Sequence, residues 1–244
     1  MTPVLEARAL TYRLPRAERE HLVADVSFTV DAGETLVLLG RSGAGKTTTL
    51  KLINRLLEAT SGETRVGGVR TADLEVTRLR RRIGYVIQEI GLFPHFTVAD
   101  NVGLVPRLER WAAARIAERV RELLGLVGLD AAQFAGRYPH ELSGGQRQRV
   151  GVARALAADP PVMLLDEPFG ALDPVTRAEL RREFRMLARR LQKAIVFVTH
   201  DVREALELAT QIGVMQGGRL VFLGTADELQ AATHPEARAF LESV

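Results

Sequence analysis

Four short apolar runs each stop at a polar or glycine-rich element: Leu36 to Leu39 before a glycine loop, Tyr85 to Ile87 before Gln88, Val162 to Leu165 before Asp166-Glu167, and Ile195 to Val198 before Thr199-His200. Continuous apolar runs of this length are how parallel strands covered on both faces read. Helical periodicity separates them over Lys46 to Leu57, Pro174 to Leu191 and Asp201 to Ala209. The alternation predicts an α/β domain, and ligands in open α/β sheets gather beyond the carboxyl ends of the strands, so the four termini are expected to converge on one site. Turn signals at Ser61-Gly62, Gly67-Gly68 and Gln216-Gly217-Gly218 predict antiparallel hairpins and a small β lobe that includes Val4 to Tyr12 and Val23 to Val30. Between Gln88 and Leu142 no strand pattern occurs. Thr97 to Val105 and the amphipathic run Glu109 to Leu126 predict an all-helical insertion.

The first of these loops carries chemistry. Gly40-Arg41-Ser42-Gly43-Ala44-Gly45-Lys46-Thr47 satisfies G-x(4)-G-K-[ST], follows a predicted strand and opens a predicted helix, with Thr48 next in line. In that setting backbone N–H groups and the helix N-terminus cradle phosphates, Lys46 bridges the β- and γ-phosphates of a nucleotide, and Thr47 reaches Mg²⁺. A purely structural glycine turn is the competing reading, and the strand and helix on either side argue against it. Asp166 ends a buried strand and suits a Mg²⁺ contact, while Glu167 beside it suits polarisation of an attacking water, although paired acids at a strand end also serve as a plain helix cap.

Composition narrows the function classes. At 244 residues the chain fits one α/β domain, or one domain with an inserted lobe. No run approaches the roughly 18–20 apolar residues of a spanning helix, so a membrane role is expected to come through a partner. No basic-then-apolar N-terminal segment marks a secretory signal, and the absence of cysteine excludes disulfides and thiolate metal sites. The net charge of +3 comes from 33 basic residues against 30 acidic ones spread along the chain, a modestly basic surface rather than a nucleic-acid face. The Arg-rich stretches Arg78 to Arg82 and Arg177 to Arg190 read as solvated helix faces. Lysine occurs only at Lys46, Lys51 and Lys193, so Lys46 stands out: a compact ammonium on a flexible stem fits between phosphates where a planar guanidinium does not.

A second phosphate-type sequence, Leu142-Ser143-Gly144-Gly145-Gln146, lies far downstream and precedes the helical run Gln146 to Ala157. One nucleotide does not need two such loops from one chain, and ordinary residue usage gives this pentapeptide by accident with odds of roughly 10⁻⁴ to 10⁻³. With the glycine loop, and with Asp166-Glu167 continuing into Pro168-Phe169-Gly170-Ala171-Leu172-Asp173, the chain resembles the nucleotide-binding subunit of the ABC transporter family over essentially its whole length. The resemblance implies a P-loop NTPase (RecA-like) α/β core with an antiparallel β lobe and an inserted all-helical lobe, the core and β lobe about 1–88 and 154–244 and the helical lobe about 89–153. It implies ATP and Mg²⁺ as cofactors. By the same resemblance Gln88 is the Q-loop glutamine touching Mg²⁺ or the attacking water, and His200 is the switch histidine on the γ-phosphate. Asp173 reaches across a dimer, Tyr12 stacks on adenine, and Ser143, Gly144, Gly145 and Gln146 close over ATP held by the other subunit.

The resemblance therefore implies a homodimer, bound to two transmembrane permease subunits and served by an extracytoplasmic solute-binding protein, on the cytoplasmic face of the membrane. The partner-facing segments Gly84 to His95 and Asn101 to Trp111 look like the ATPases of quaternary-amine importers, which take up glycine betaine, choline or carnitine. Many members of that subfamily continue into tandem CBS domains, whereas this sequence ends at Val244, so osmotic gating through such domains is not expected. An importer ATPase for another small solute, such as an amino acid or phosphonate, stays open. A soluble ABC ATPase acting on nucleic acid or ribosomes is opposed by the short interval from Gln88 to Leu142, and a P-loop kinase or GTPase has no use for Leu142 to Gln146.

Overall fold

The computed structural model describes residues 2–14, 21–88, 91–170 and 172–242; Glu89, Ile90 and Ala171, which belong to segments singled out above, lie outside the described residues. In chain order, β1 (Leu5–Arg13), β2 (His21–Val30), β3 (Thr35–Leu39), α1 (Lys46–Ile53), β4 (Ser61–Val66), β5 (Val69–Arg70) and α2 (Val76–Arg81) come first. They are followed by β6 (Ile83–Val86), α3 (Val98–Leu108), α4 (Ala113–Leu126), α5 (Ala131–Phe134), α6 (Gly144–Leu156), β7 (Val162–Asp166) and α7 (Pro174–Leu191). Last come β8 (Ala194–Thr199), α8 (Val202–Leu208), β9 (Gln211–Gln216), β10 (Arg219–Gly224), α9 (Ala226–Gln230) and α10 (Pro235–Leu241). One compact unit gathers the chain up to Arg80 and from Gln192 onward; a second runs from Arg81 to Leu191.

In the first unit, β2, β1, β4 and β5 form an antiparallel sheet in that order, while β3 lies parallel between β8 and β9, with β10 antiparallel on β9. Every residue of β3 and β8 is buried, which is why both strands read as unbroken apolar runs. The Gly67-Gly68 and Gln216-Gly217-Gly218 turns join β4 to β5 and β9 to β10 as expected. Ser61-Gly62 is not a turn. Both residues lie inside β4, where Ser61 pairs with Thr11 beside a bulge in β1.

In the second unit β6 and β7 pair in parallel and α3, α4 and α6 pack on one another. Val120, Leu123 and Leu124 of α4 are buried, the i, i+3, i+4 spacing of an apolar stripe. No strand occurs among the described residues between Gln88 and Leu142. The amphipathic run begins at Ala113 rather than Glu109, because α3 closes on Glu109, Arg110 takes a left-handed φ of 58° and the Trp111 N–H returns to the Pro106 carbonyl at 3.0 Å. The helix expected over Lys46 to Leu57 also ends early, at Ile53. Arg55 is left-handed at φ 52°, and the Leu56 N–H folds back to the Lys51 carbonyl at 2.8 Å, with the Asn54 side chain accepting from the same N–H at 3.1 Å.

Asn101, fully buried on α3, holds the turn from Phe93 to Thr97. Its Nδ2 donates to the carbonyls of Phe93, Phe96 and Thr97 at 3.0–3.1 Å, and its Oδ1 accepts from the Phe93 N–H at 2.8 Å. Replacing Asn101 by Leu, of similar volume, removes all four bonds. An unpaired buried group costs about 1–3 kcal/mol, so the Phe93 amide should exchange with solvent roughly 5- to 100-fold faster, each 1.4 kcal/mol being a factor of ten. Unchanged exchange at Phe93 would show that the segment is held by other contacts.

Candidate functional site

The first unit contributes the glycine loop. It leaves β3 at Gly40 and enters α1 at Lys46, with Gly45 as N-cap at φ 100° and ψ 0°. A Cβ on Gly45 would meet the Leu22 carbonyl oxygen at 2.5 Å, so both conformation and space demand glycine there. At Gly43, φ 79°, a Cβ would meet nothing within 4 Å, so the backbone there borders open space. No side chain caps α1 and its first turn holds no acid, so no carboxylate offsets the positive end of its helix dipole. The loop is fixed from behind by the β9–β10 turn, where the Gly218 N–H donates to the Ala44 carbonyl at 3.1 Å. Lys46 is buried, and its Nζ donates to the carbonyls of Gly40 and Arg41 at 2.7 and 3.0 Å. Thr47 and Thr48 follow in the first turn of α1, both half-buried.

Register places the histidine beside this loop. Leu39 of β3 pairs with Thr199 of β8 in parallel, so Gly40 and His200 are each the next residue beyond adjacent strand ends. His200 is exposed. Behind it, the Thr199 hydroxyl donates to the buried Glu204 carboxylate at 2.6 Å and accepts from the Asp201 N–H at 3.0 Å, while Asp201 caps α8 through the Arg203 N–H at 2.8 Å. Tyr12, half-buried on β1, pairs with Val23 of β2.

The second unit carries the acids by the same device. Val86 of β6 pairs with Leu165 of β7. Gln88, exposed in the turn after β6, and Glu167 after β7 each lie two residues past that pair. Asp166 is 3 % exposed, and the Tyr85 hydroxyl donates to its Oδ2 at 3.4 Å. Burial, then the Asp166 charge, raises the Tyr85 pKa well above the usual phenol range, which keeps that donor protonated. Glu167 has φ 43°, an unusual backbone for a residue other than glycine, of the kind that collects at functional sites. Asp173 opens α7: its Oδ1 accepts from the N–H groups of Val175 and Thr176 at 3.1 and 3.0 Å, and hydrogen bonds from Thr176, side chain first, hold its carboxyl below the ordinary aspartate range.

Ser143 caps α6. Its Oγ accepts from the Gln146 N–H at 3.2 Å and the Gln146 Oε1 accepts from the Ser143 N–H at 2.9 Å, a reciprocal capping box. α6 therefore starts at Gly144, two residues earlier than the periodicity alone indicated. The box uses the Ser143 oxygen as acceptor and leaves the hydroxyl proton to donate elsewhere. Gly144 and Gly145 are closely backed, a Cβ on each meeting Leu172 at 3.2 Å and Thr176 at 3.0 Å.

The family model for the ABC transporter matches residues 23–170, which contain the glycine loop, Gln88, Ser143 to Gln146 and Asp166-Glu167. The chain belongs to the ABC transporter family. It is similar to the glycine betaine/carnitine/choline transport ATP-binding protein of Bacillus subtilis, 52 % identical over 207 residues that make up 85 % of this chain and 54 % of that protein. It is also similar to the glycine betaine uptake system ATP-binding protein of Escherichia coli, 55 % identical over 83 % of this chain and 65 % of the relative. The chain thus spans between about half and two-thirds of the length of these relatives. A solved ATP-binding cassette, a dimer in a post-hydrolysis state bound to ADP and phosphate, aligns with a TM-score of 0.80 at 32 % identity, covering 91 % of this chain and 98 % of that one. The fold is accordingly that of the ABC cassettes, a P-loop α/β core with an antiparallel β sheet and a helical segment.

Three residues that hold loops within one or the other unit are not visible as such in the sequence. Glu204 stands in the first turn of α8, where an acid reads as a helix-dipole partner; only burial reveals that it anchors Thr199. Asn101 gives a faint signal, a polar residue amid the apolar Val98, Val102 and Val105. Glu236 gives none: it meets the glycine loop from nearly two hundred residues away. Thr199→Val keeps the shape but strips one bond from Glu204 and one from the Asp201 N–H. It should lower stability by about 1–3 kcal/mol, read as the urea unfolding midpoint with slope unchanged; a midpoint at the parent value would refute the anchoring role.

Proposed function

We propose that this chain is the ATP-hydrolysing subunit of an ABC importer for quaternary-amine osmoprotectants such as glycine betaine, choline or carnitine. The observation that carries the ATPase part is the phosphate loop at the head of α1, bordering open space at Gly43, with the only buried lysine of the described residues beside it. The solute class rests on relatives more than half identical to the chain whose names specify glycine betaine, carnitine and choline transport. In this reading the core and β lobe occupy about 1–88 and 154–244, and the helical lobe about 89–153.

Backbone N–H groups of the glycine loop and the N-terminus of α1 bind the β- and γ-phosphates, with Lys46 shifting its ammonium from the Gly40 and Arg41 carbonyls onto phosphate oxygens. The Tyr12 ring stacks on adenine, a contact worth about 1–3 kcal/mol. Thr47, Asp166 and Gln88 offer hard oxygen ligands of the kind Mg²⁺ takes, and no cluster of three or more His, Cys, Asp or Glu exists among the described residues to form an all-protein cage. That donor set suits an ion shared with substrate phosphates. When bound, Mg²⁺ supplies charge neutralisation on the phosphoryl oxygens. Glu167 accepts the proton of the attacking water, and His200 donates a hydrogen bond toward the γ-phosphate.

Ser143, Gly144, Gly145 and Gln146, with Asp173, serve the nucleotide of a second copy, so the active form is a homodimer. The solved cassette that the chain resembles is a dimer, which supports this part of the reading. Two permease subunits, docked on the helical lobe, and an external solute-binding protein complete the complex. No helix among the described residues is long and apolar enough to cross a membrane, and the subunit is assigned to the cytoplasmic face of the membrane through its permease.

Lys46→Ala should abolish measurable ATP binding by titration with a fluorescent nucleotide. Glu167→Gln should bind ATP, accumulate as a dimer in size-exclusion chromatography and hydrolyse ATP about 10²- to 10⁴-fold more slowly. Hydrolysis by Glu167→Gln at the parent rate would remove Glu167 from its role. In a reconstituted complex with permease and binding protein, glycine betaine should stimulate ATP hydrolysis and amino acids should not; the reverse pattern would overturn the solute class.

A further inference from the structure

Arg41 stands inside the phosphate loop, and its two ends do different things. Its carbonyl accepts from the Lys46 ammonium at 3.0 Å and from the Ala44 N–H at 3.2 Å, so this peptide supports both the lysine and the turn of the loop. Its guanidinium leaves the loop, and Nε donates to the Glu236 Oε1 at 2.8 Å. Glu236 lies on α10 and is 8 % exposed. Its other oxygen, Oε2, accepts from the Gln216 Nε2 at 3.4 Å. Gln216 ends β9 directly before the Gly217-Gly218 turn, the turn whose Gly218 N–H holds the Ala44 carbonyl. One carboxylate on the last helix thus reaches the front of the phosphate loop through Arg41 and the turn that backs the loop through Gln216.

An ordinary surface ion pair contributes about 0–1 kcal/mol and positions little. This pair is asymmetric: the Arg41 side chain is 70 % exposed and that of Glu236 only 10 %. A nearly buried carboxylate is costly without its cation, which pins Arg41 where it lies rather than leaving it to sample solvent. A phosphate site made of backbone N–H groups gains affinity from being held in shape before the ligand arrives.

We propose that Glu236 is a positioning residue for nucleotide binding: through Arg41 it holds the phosphate loop in its binding shape, so that nucleotide affinity depends on the C-terminal helix α10. Glu236 touches neither substrate nor metal; its effect passes through Arg41. The effect on nucleotide rests on the ATPase reading above, whereas the effect on the loop does not.

The test uses Glu236→Gln, which keeps the shape and removes the charge, Arg41→Ala, and the double variant, each checked for an unfolding midpoint near that of the parent. Without nucleotide, the amides of Ser42, Gly43 and Ala44 should exchange several-fold faster in Glu236→Gln, while those of β1 and β2 stay unchanged. In ATP hydrolysis, KM for ATP should rise roughly tenfold with kcat altered less than twofold, the split expected of a residue that shapes the binding loop and takes no part in chemistry. Adding Glu236→Gln to Arg41→Ala should change KM no further, since contacts acting through one another are not additive. Loop amides that exchange at the parent rate, a fall in kcat with KM constant, or additive effects in the double variant would each overturn the proposal. A parent chain that fails to bind ATP would sink the ATPase reading instead, and loop exchange would still decide whether Glu236 holds the loop.

Discussion

Parallel pairing of β3 with β8 is the constraint on which the phosphate end of the site depends. A parallel ladder brings both strands to their carboxyl ends on the same side, and the Leu39–Thr199 register makes Gly40 and His200 neighbours although 160 positions separate them in sequence. That register is enforced by burial: every side chain of β3 and β8 is covered, and a slip of one residue would exchange the two faces of each strand. The second unit repeats the arrangement with β6 and β7, where Val86–Leu165 pairing sends Gln88 and the Asp166-Glu167 pair off adjacent strand ends.

Once strand ends are set, helix caps decide which atoms remain for chemistry. Ser143, Asp173 and Asp201 each commit an acceptor oxygen to the opening N–H groups of α6, α7 and α8. α1 differs from these three, being capped by a left-handed glycine with no side-chain acceptor. No side chain is therefore committed to the start of the helix that opens the phosphate loop, whereas the helix behind the second glycine sequence has its Gln146 N–H taken by Ser143. Ser143 and Gln146 can serve a nucleotide only with what the capping box leaves over, chiefly the serine hydroxyl proton and the glycine N–H groups. The same residues thus carry a structural duty and the proposed functional one, which explains why serine and glutamine fit these positions on either ground.

The polar residues that hold loops within one or the other unit are deeply placed. Glu204, Asn101 and Glu236 are all under 9 % exposed, and each spends its hydrogen bonds on backbone or side chains that shape a loop. Buried polar groups of this kind are costly when a partner is lost, so they fix one conformation of the loops they serve.

The sequence by itself determined what is local. Apolar runs before Gly40, Gln88, Asp166 and Thr199 located four strands to within a residue or so at their carboxyl ends, β6 stopping at Val86 and β7 and β8 taking in Asp166 and Thr199; periodicity placed α7 from Pro174 to Leu191; and G-x(4)-G-K-[ST] marked the glycine loop between β3 and α1. These were legible because one strand, one cap or one turn depends on residues a few positions apart. Tertiary structure decided the rest. It ended α1 at Ile53, where Arg55 adopts a left-handed backbone and sends its guanidinium to the Thr71 and Leu74 carbonyls, and it drew Ser61-Gly62 into a strand beside the β1 bulge. It also set the registers of β3 with β8 and β6 with β7, and it buried Glu204 and Glu236. Each of these outcomes depends on which distant segment packs alongside, and the energies of burial and of a satisfied polar group exist only once that neighbour is in place.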